Sequence, residues 1–457
     1  MGFYRIFPSK DTWITNRQVN TAANEMTGSN HGKDPALALF AIKDEFTSEF
    51  NQYARALVQF PITELSGKIF TDKVIPSSSV SYYLKMFDMK HGTIVPTSYD
   101  LFVYPLSRSW DEGNGVDSIN YYDSGWSNWV DATSTTQWTT TGSDYISSIS
   151  ASQHFDRGTE DLEVNVTDIV NNWINGVTDI NGFLIKLGEA EETNDTNYFI
   201  KLFHGYESKY VDKLPYLEAR WSTILKDNRK NFAFNQNNNL YLYNFVRGEL
   251  TNLQEPITVT VVDTITSGTV RYNQSFNATM VENGIYSASI VISNTGTFSG
   301  TLYDIWTSGS VVYMTGVFTP LLLTGSTTDV YSEFVCNVDN LKQIYDVGEE
   351  ARVKVSVRKK DYKTHVGSFK SGSVNLEQEY IEKMYYSISN NETGEVLVPF
   401  GTGSVPYTQL SYDGNGNYFN LFMNSFVPGF VYKIKFLIDI NKYDKKIIDN
   451  NYLFKVV

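Results

Sequence analysis

Apolar and polar residues alternate along most of this chain, in short runs. ARALVQFPI (54–62), SSVSYYLKMFDM (78–89) and SYDLFVYPLS (98–107) each return to an apolar or small side chain at about every second position. A period of two marks a strand with one face on a core. NGFLIKLG (181–188) and YFIKLFHG (198–205) read as two strands around an Asn/Asp/Thr-rich turn, and PYLEARW (215–221) closes the region. Turn residues recur at short intervals, the pattern of a β-sandwich or jelly roll. Helical periodicity is scarce. Val166, Ile169, Val170 and Trp173 fall at i, i+3, i+4 and i+7, which predicts a short helix over 166–176, capped by Thr167 and stopped by Gly176. EQEYIEKMYY (377–386) is a second candidate helix.

The text then changes. Seven of the eight tryptophans lie at or before Trp221, and LKDNRKNFAFNQNNN (225–239) is polar and Asn-rich. This stretch is predicted to be a linker. Beyond it, PITVTVVDT (256–264) and GIYSASIVIS (284–293) alternate cleanly, with room for one immunoglobulin-like sandwich before LLLTGSTTDVYSEF (321–334) ends it. ARVKVSVRKKD (351–361), GNYFNLFMNSF (416–426) and FVYKIKFLID (430–439) predict another. The expected fold is all-β: a jelly-roll-like β-sandwich over 1–224, a linker over 225–239, and immunoglobulin-like sandwiches over 240–329 and 330–457. ENGIYSASIVI and GNGNYFNLFM share a Gly-turn followed by Tyr and an alternating strand, a similarity too short to establish a duplication.

Composition narrows the function. A chain of 457 residues suggests two or three domains, and 41% hydrophobic residues suffice for packed cores. A net charge of −14 argues against nucleic acid and against an anionic membrane surface. The single cysteine, Cys336, excludes a disulfide within one chain and reads as a buried small hydrophobe, since no histidine lies near it. No 18-residue apolar run occurs, and MGFYRIFPSKDTWITN lacks the features of a signal peptide, so the chain is expected to be made in a cytoplasm and kept or assembled there. His31, His91, His154, His204 and His365 show no zinc spacing. VSVRKKDYK reads as a solvated strand end rather than an anion patch.

The unusual stretch is SRSWDEGNGVDSINYYDSGWSNWVDATSTTQW (107–138). Tyr121, Trp126, Trp129 and Trp138 could form a sugar platform, because aromatic faces stack on sugar C–H groups. The competing reading is that the rings anchor a long loop, which must bury something to stay ordered. Trp110 reads as core. Asp111, Glu112, Asp117, Asp123 and Asp131 supply carboxylates, but a glycosidase pair must face across a cleft, and adjacent Asp111 and Glu112 diverge. No catalytic residue is assigned and the protein is read as non-enzymatic. DEGNGVD, with Asp111 and Asp117, is a candidate structural calcium loop without the EF-hand spacing; otherwise it is a capped Gly-rich turn. No other cofactor is expected.

Taken in order, DTWITN, ARALVQFPITEL, SWDEGNGVDS, SNWVDATSTTQWTTTGSDY, EVNVTDIVNNWINGVTDINGFLIKL and PYLEARW resemble the DNRLRE-type β-sandwich, also classed as family 96 carbohydrate-binding modules. The family's namesake hexapeptide is absent. The resemblance covers about half the chain and implies a β-sandwich with a carbohydrate-binding ancestry. Such a module followed by two immunoglobulin-like domains looks like a tailed-bacteriophage virion protein of a neck, collar or tail assembly, an analogy of architecture. It implies other virion proteins as partners, a homo-oligomeric ring and a place in the virion. The alternative is a glycan- or receptor-binding adhesion protein, a head or tail fibre that uses the N-terminal module.

Overall fold

The computed structural model describes residues 2–17, 28–43, 51–92, 95–116, 126–193, 197–254, 256–265, 272–293, 300–322, 333–360, 378–439 and 444–457. These residues form an all-β protein of packed sheets in two compact units, Phe3–Trp221 with Asn424–Val427, and the remainder of the chain.

The N-terminal unit contains β1 (Gly2–Ile6), β2 (Lys10–Thr15), β3 (Ala36–Lys43), β4 (Asn51–Gln59), β5 (Val80–Met86), β6 (Tyr99–Pro105), β7 (Ala151–Phe155), β8 (Leu162–Asn165), β9 (Phe183–Leu187), β10 (Tyr198–His204) and β11 (Tyr216–Trp221). One sheet runs β1-β11-β5-β8. The other runs β10-β3-β4-β9-β6-β7, with β2 also on β4. Register separates the two faces of the larger sheet. Ala56, Ile185 and Val103 pair in one row; Leu57, Leu184 and Tyr104 pair in the next, so they point to the opposite face. That second face receives the tryptophan loop described below.

Three short α-helices lie among the described residues. α1 (Ile62–Phe70) follows Pro61 and buries Ile62, Leu65 and Ile69. The alternation of ARALVQFPI carries Ile62 as a strand end, but 62, 65 and 69 lie on one helical stripe and the chain turns into a helix here. α2 (Thr167–Ile174) carries the expected stripe, with Ile169, Val170 and Trp173 buried. Its cap differs: Val166 is the N-cap and Thr167 the first helical residue, because the Thr167 hydroxyl is taken up accepting from the Tyr82 N–H (2.9 Å) and donating to Asn165 Oδ1 (2.6 Å). α3 (Glu189–Thr193) follows β9.

The second unit holds two sandwiches. The first contains β12 (Asn238–Tyr243), β13 (Phe245–Val246), β14 (Glu249–Leu250), β15 (Ile257–Val262), β16 (Asn273–Glu282), β17 (Ile285–Ile290), β18 (Leu302–Ser308) and β19 (Val311–Phe318). Its sheet path is β12-β17-β16-β15-β18-β19, and β13 pairs with β14 in a small hairpin. Strand β16 pairs first with β15 and then, from Thr279 onward, with β17, where the register shifts between Met280 and Glu282. One strand thus serves both halves around a core that includes Trp306, Val259, Leu240 and Tyr286.

The second sandwich contains β20 (Phe334–Val338), β21 (Ile344–Tyr345), β22 (Glu350–Lys359), β23 (Met384–Asn390), β24 (Val396–Val398), β25 (Ser411–Asp413), β26 (Gly416–Phe422), β27 (Val431–Asp439) and β28 (Lys445–Val456). Its sheets run β20-β22-β26-β25 and β21-β28-β27-β23-β24, and Tyr386 stacks on Phe419 across them at 4.3 Å.

Two expectations are corrected here. Glu377 lies outside the described residues, but the rest of the candidate helix is a bridge at Glu379 with Val357 followed by strand β23. Every residue of β23 is buried, so both faces are apolar or small and the alternation that identifies a strand disappears. The segment 225–239 is not a loose linker. Phe232 and Phe234 belong to the first sandwich's core, and the Phe234 N–H donates to the Leu321 carbonyl (3.0 Å).

Candidate functional site

The loop after β6 is held by hydrogen bonds and by three buried indoles. Trp110, Trp129 and Trp138 form one cluster with Ile14, Leu57, Leu106, Ala132 and Leu184. Leu57 and Leu184 belong to the outward row of the larger sheet, so the loop is a cap on the sheet's far face. Trp110 Nε1 donates to the Asn181 carbonyl and Trp138 Nε1 to the Asn128 carbonyl, both at 2.9 Å. Trp129 stacks on Tyr53 at 6.2 Å, with the Arg55 guanidinium 5.1 Å from its ring.

This takes two of the four proposed platform rings, Trp129 and Trp138, out of reach of a ligand. Trp129 and Trp138 are 7% and 4% exposed, and their ring faces meet protein. Trp126 is half-buried, and Tyr121 lies outside the described residues. The described parts of the loop bury their rings against strand residues far away in sequence.

The calcium reading also changes. Asp117 lies outside the described residues. The DEGNG turn wraps a side-chain amide: Asn30 Nδ2 donates to the carbonyls of Glu112 (2.8 Å) and Ser127 (2.9 Å), while its Oδ1 accepts from the N–H groups of Gly32 (3.2 Å) and Gly115 (2.8 Å). Gly115 approaches so closely that a Cβ there would lie 1.8 Å from the Asn30 carbonyl oxygen. Asp111 Oδ2 accepts from the Ser134 N–H (3.2 Å). Among the described residues no group of three or more His, Cys, Asp or Glu is placed to hold a metal ion.

Beside this turn sits a charged cluster that the sequence did not mark. Asp11 is buried and accepts from the Tyr206 N–H (2.6 Å), and Lys33 bridges Glu112 (2.9 Å) and Glu207 (2.7 Å). Burial pushes the Asp11 carboxyl up to about 7; nearby Glu112 and Glu207 add to this, while Tyr206 N–H and Lys33 oppose it. Lys10 donates to the Trp110 carbonyl and lies 4.3 Å from that ring's centroid. Burial lowers its pKa against the pull of Asp111 and Glu112.

Among the described residues, an open concavity is lined by residues of this loop and of β4. It has a volume of about 500 Å³ and is lined by Arg55, Arg108, Thr140, Ser143, Asp144 and Tyr145 among others. Arg55 is fixed by a two-point bond to Glu192 (3.1 and 2.9 Å) and by donation to the Gly142 carbonyl (2.7 Å); Lys186 also reaches Glu192 (2.8 Å). Asp144 accepts from the N–H groups of Thr139 (2.8 Å) and Thr140 (2.9 Å) and pairs with Arg108 (3.0 Å). Burial works against its ionisation, but these donors outweigh it and hold the carboxyl below its ordinary pKa. Gly142 and Ser143 both have positive φ, +84° and +95°. The Ser143 hydroxyl is buried and makes no hydrogen bond within the structure. Tyr145 packs on Tyr104 at 4.8 Å and completes the wall. The arrangement offers hydroxyls, one aromatic ring and balanced charges, which suits an uncharged polar ligand. Of these residues, Arg55 and Gly142–Tyr145 lie in two stretches that carry the family resemblance, ARALVQFPITEL and SNWVDATSTTQWTTTGSDY. Arg55 and Glu192 come from separate strands and helices, and nothing in their local sequence joins them.

No known family model matches the chain, and no curated protein is similar to it. Among solved structures, it overlaps Dpr2 Ig1-Ig2 from a complex with DIP-Theta at 8% identity and a TM-score of 0.16, over 50% of this chain and 93% of that one. A titin immunoglobulin tandem overlaps at 12% identity and a TM-score of 0.14, over 49% and 89%. Trypsin-activated alpha-2-macroglobulin from Escherichia coli overlaps at 9% identity and 0.17, over 88% of this chain and 24% of that one. The strand order of the described residues defines an all-β protein of packed sheets. No helix among the described residues is long and apolar enough to cross a membrane.

Proposed function

We propose that the protein is a non-enzymatic architectural component that works through protein–protein contacts in a repeating assembly, and that the assembly is a bacteriophage virion, at its neck, collar or tail. The observation that carries the architectural reading is the connector between the last two sandwiches. The Leu225 N–H donates to Ser411 Oγ (3.1 Å), Asp227 N–H to the Tyr412 carbonyl (3.1 Å) and Tyr412 N–H to the Leu225 carbonyl (3.0 Å). Two residues on, Arg229 pairs with the fully buried Asp304 (2.7 Å) of the neighbouring sandwich. The connector is built into both bodies, so they cannot swing freely, and a part that repeats around a ring needs that rigidity.

The contact surface we assign is strand β19, VVYMTGVF, with a second copy of this chain as occupant. Val312 and Val317 are 57% and 54% exposed, and the strand carries no charge. Natural edges are usually protected by charge. In a chain of net charge −14, an uncharged strand is where two copies meet with least repulsion. The virion setting rests on the domain order read from the sequence. The test is the oligomeric state of the full chain beside a Val312→Lys/Val317→Lys variant. In particles purified from a lysate producing this chain, peptide mass spectrometry should recover it at fixed stoichiometry to the other particle proteins.

The cleft at Arg108, Asp144 and Tyr145 favours a second reading, attachment to a host surface glycan. Glycan-array binding by the full chain, lost in Tyr145→Ala, supports it; no binding by the native chain removes it.

A further inference from the structure

In the N-terminal sandwich a buried lysine and a carboxylate face each other in an aromatic pocket. Lys201, on β10, is 1% exposed; its Nζ donates to Asp88 Oδ1 and to the carbonyls of Gly158 and Glu160, both at 2.9 Å. The rings of Phe203 and Phe155 lie 4.8 and 5.3 Å from the nitrogen. Asp88 follows β5 and is held by backbone on both sides: Met89 N–H donates to the Leu202 carbonyl (2.9 Å) and His204 N–H to the Phe87 carbonyl (3.0 Å). Its own N–H donates to Asp161 Oδ1 (2.9 Å). Two further polar atoms are buried and make no hydrogen bond within the structure, Tyr99 Oη and Glu160 Oε2. The bond from Lys201 Nζ to the Glu160 carbonyl sets Glu160 beside the pair, and Tyr99 stacks on Phe155 at 5.3 Å.

We propose that Lys201 and Asp88 condense into an intramolecular amide, a covalent cross-link between the two sheets of this sandwich. The ion pair first passes a proton from nitrogen to carboxylate, a step favoured where water is scarce. Burial, against the opposing charge of Asp88, lowers the Lys201 pKa in the direction that frees its lone pair. The amine attacks Asp88 Cγ and forms the C–N bond. Glu160 Oε2 takes the second nitrogen proton and hands it to the departing hydroxyl, the C–O bond breaks, and one water leaves. Ammonium plus carboxylate becomes amide plus water, with no oxidant and no outside reactant. Fixing both groups in contact supplies the effective concentration the reaction needs. In a chain whose single cysteine forbids an internal disulfide, this bond would be the available covalent staple.

The experiment is the intact mass of the purified full chain in denaturant, followed by a tryptic map. The expected mass is one water, about 18 Da, below the sequence value. Trypsin should fail to cut after Lys201, and the Lys201 and Asp88 peptides should travel together; Lys201→Arg should restore the full mass. Glu160→Gln should leave mostly unreacted chain. A native chain of full mass, cut after Lys201 with the two peptides separate, would overturn the proposal. Complete cross-linking in Glu160→Gln would overturn the role given to Glu160.

Discussion

If the tryptophan loop is a cap and not a platform, its rings should be read in stability. Consider Trp138→Ala. A buried indole removes about 150–250 Å² from water, worth at most ~4–6 kcal/mol at about 25 cal/mol per Å². Truncations of buried Trp cost about 3–5 kcal/mol, and the Asn128 carbonyl also loses the donor that now sits at 2.9 Å. We expect about 4 kcal/mol, a large part of the ~5–15 kcal/mol that stabilises a whole domain. The assay is urea unfolding of the full chain, with limited proteolysis reporting cleavage within 107–145. Trp138→Ala should lower the midpoint of the loop-bearing unit and open the loop to protease, and Trp138→Phe should do so less. A cost below about 1 kcal/mol, with the loop still resistant, is the signature of an exposed ring and would refute the reasoning.

Other outcomes follow from the buried charges. The folded-state pKa of Asp11 lies above its unfolded value, so between pH ~4 and ~7 the folded state holds the extra proton and stability falls as pH rises. Asp11→Asn should therefore raise the N-terminal unit's melting temperature at pH 8 and leave it nearly unchanged at pH 4; no gain at pH 8 sinks the assignment. Arg229→Ala strands the fully buried Asp304 and should cost about 3–5 kcal/mol in urea unfolding of the two-sandwich unit, with Asp304→Asn in the same background recovering part of it. Burial pushes the Cys336 thiol up to about 12, so a thiol reagent at pH 8 should label it only after denaturation.

How much of this was legible beforehand depends on the residues. Strands such as β5 and β6 have one face buried and one half-buried, so the alternation in SSVSYYLKMFDM and SYDLFVYPLS declared them. Strand β23 is buried on both faces and could not be told from a helix. The α2 stripe was read from Ile169, Val170 and Trp173; the same kind of stripe in α1 was masked by its run-on from β4. The 107–138 stretch was visibly special, but its meaning depended on partners no local pattern reveals. Leu57 and Leu184 receive the indoles, Asn30 fills the DEGNG turn, and Arg55 with Glu192 braces the cleft. Local periodicity reports whether a face is buried, not which distant residue buries it.

Whether this chain works as a fixed, repeating part is decided by mass photometry of the purified full chain beside Val312→Lys/Val317→Lys. We predict one discrete oligomer for the native chain and a folded monomer for the variant. A native chain that stays monomeric at every concentration, or a variant that assembles as well as the native chain, would contradict it.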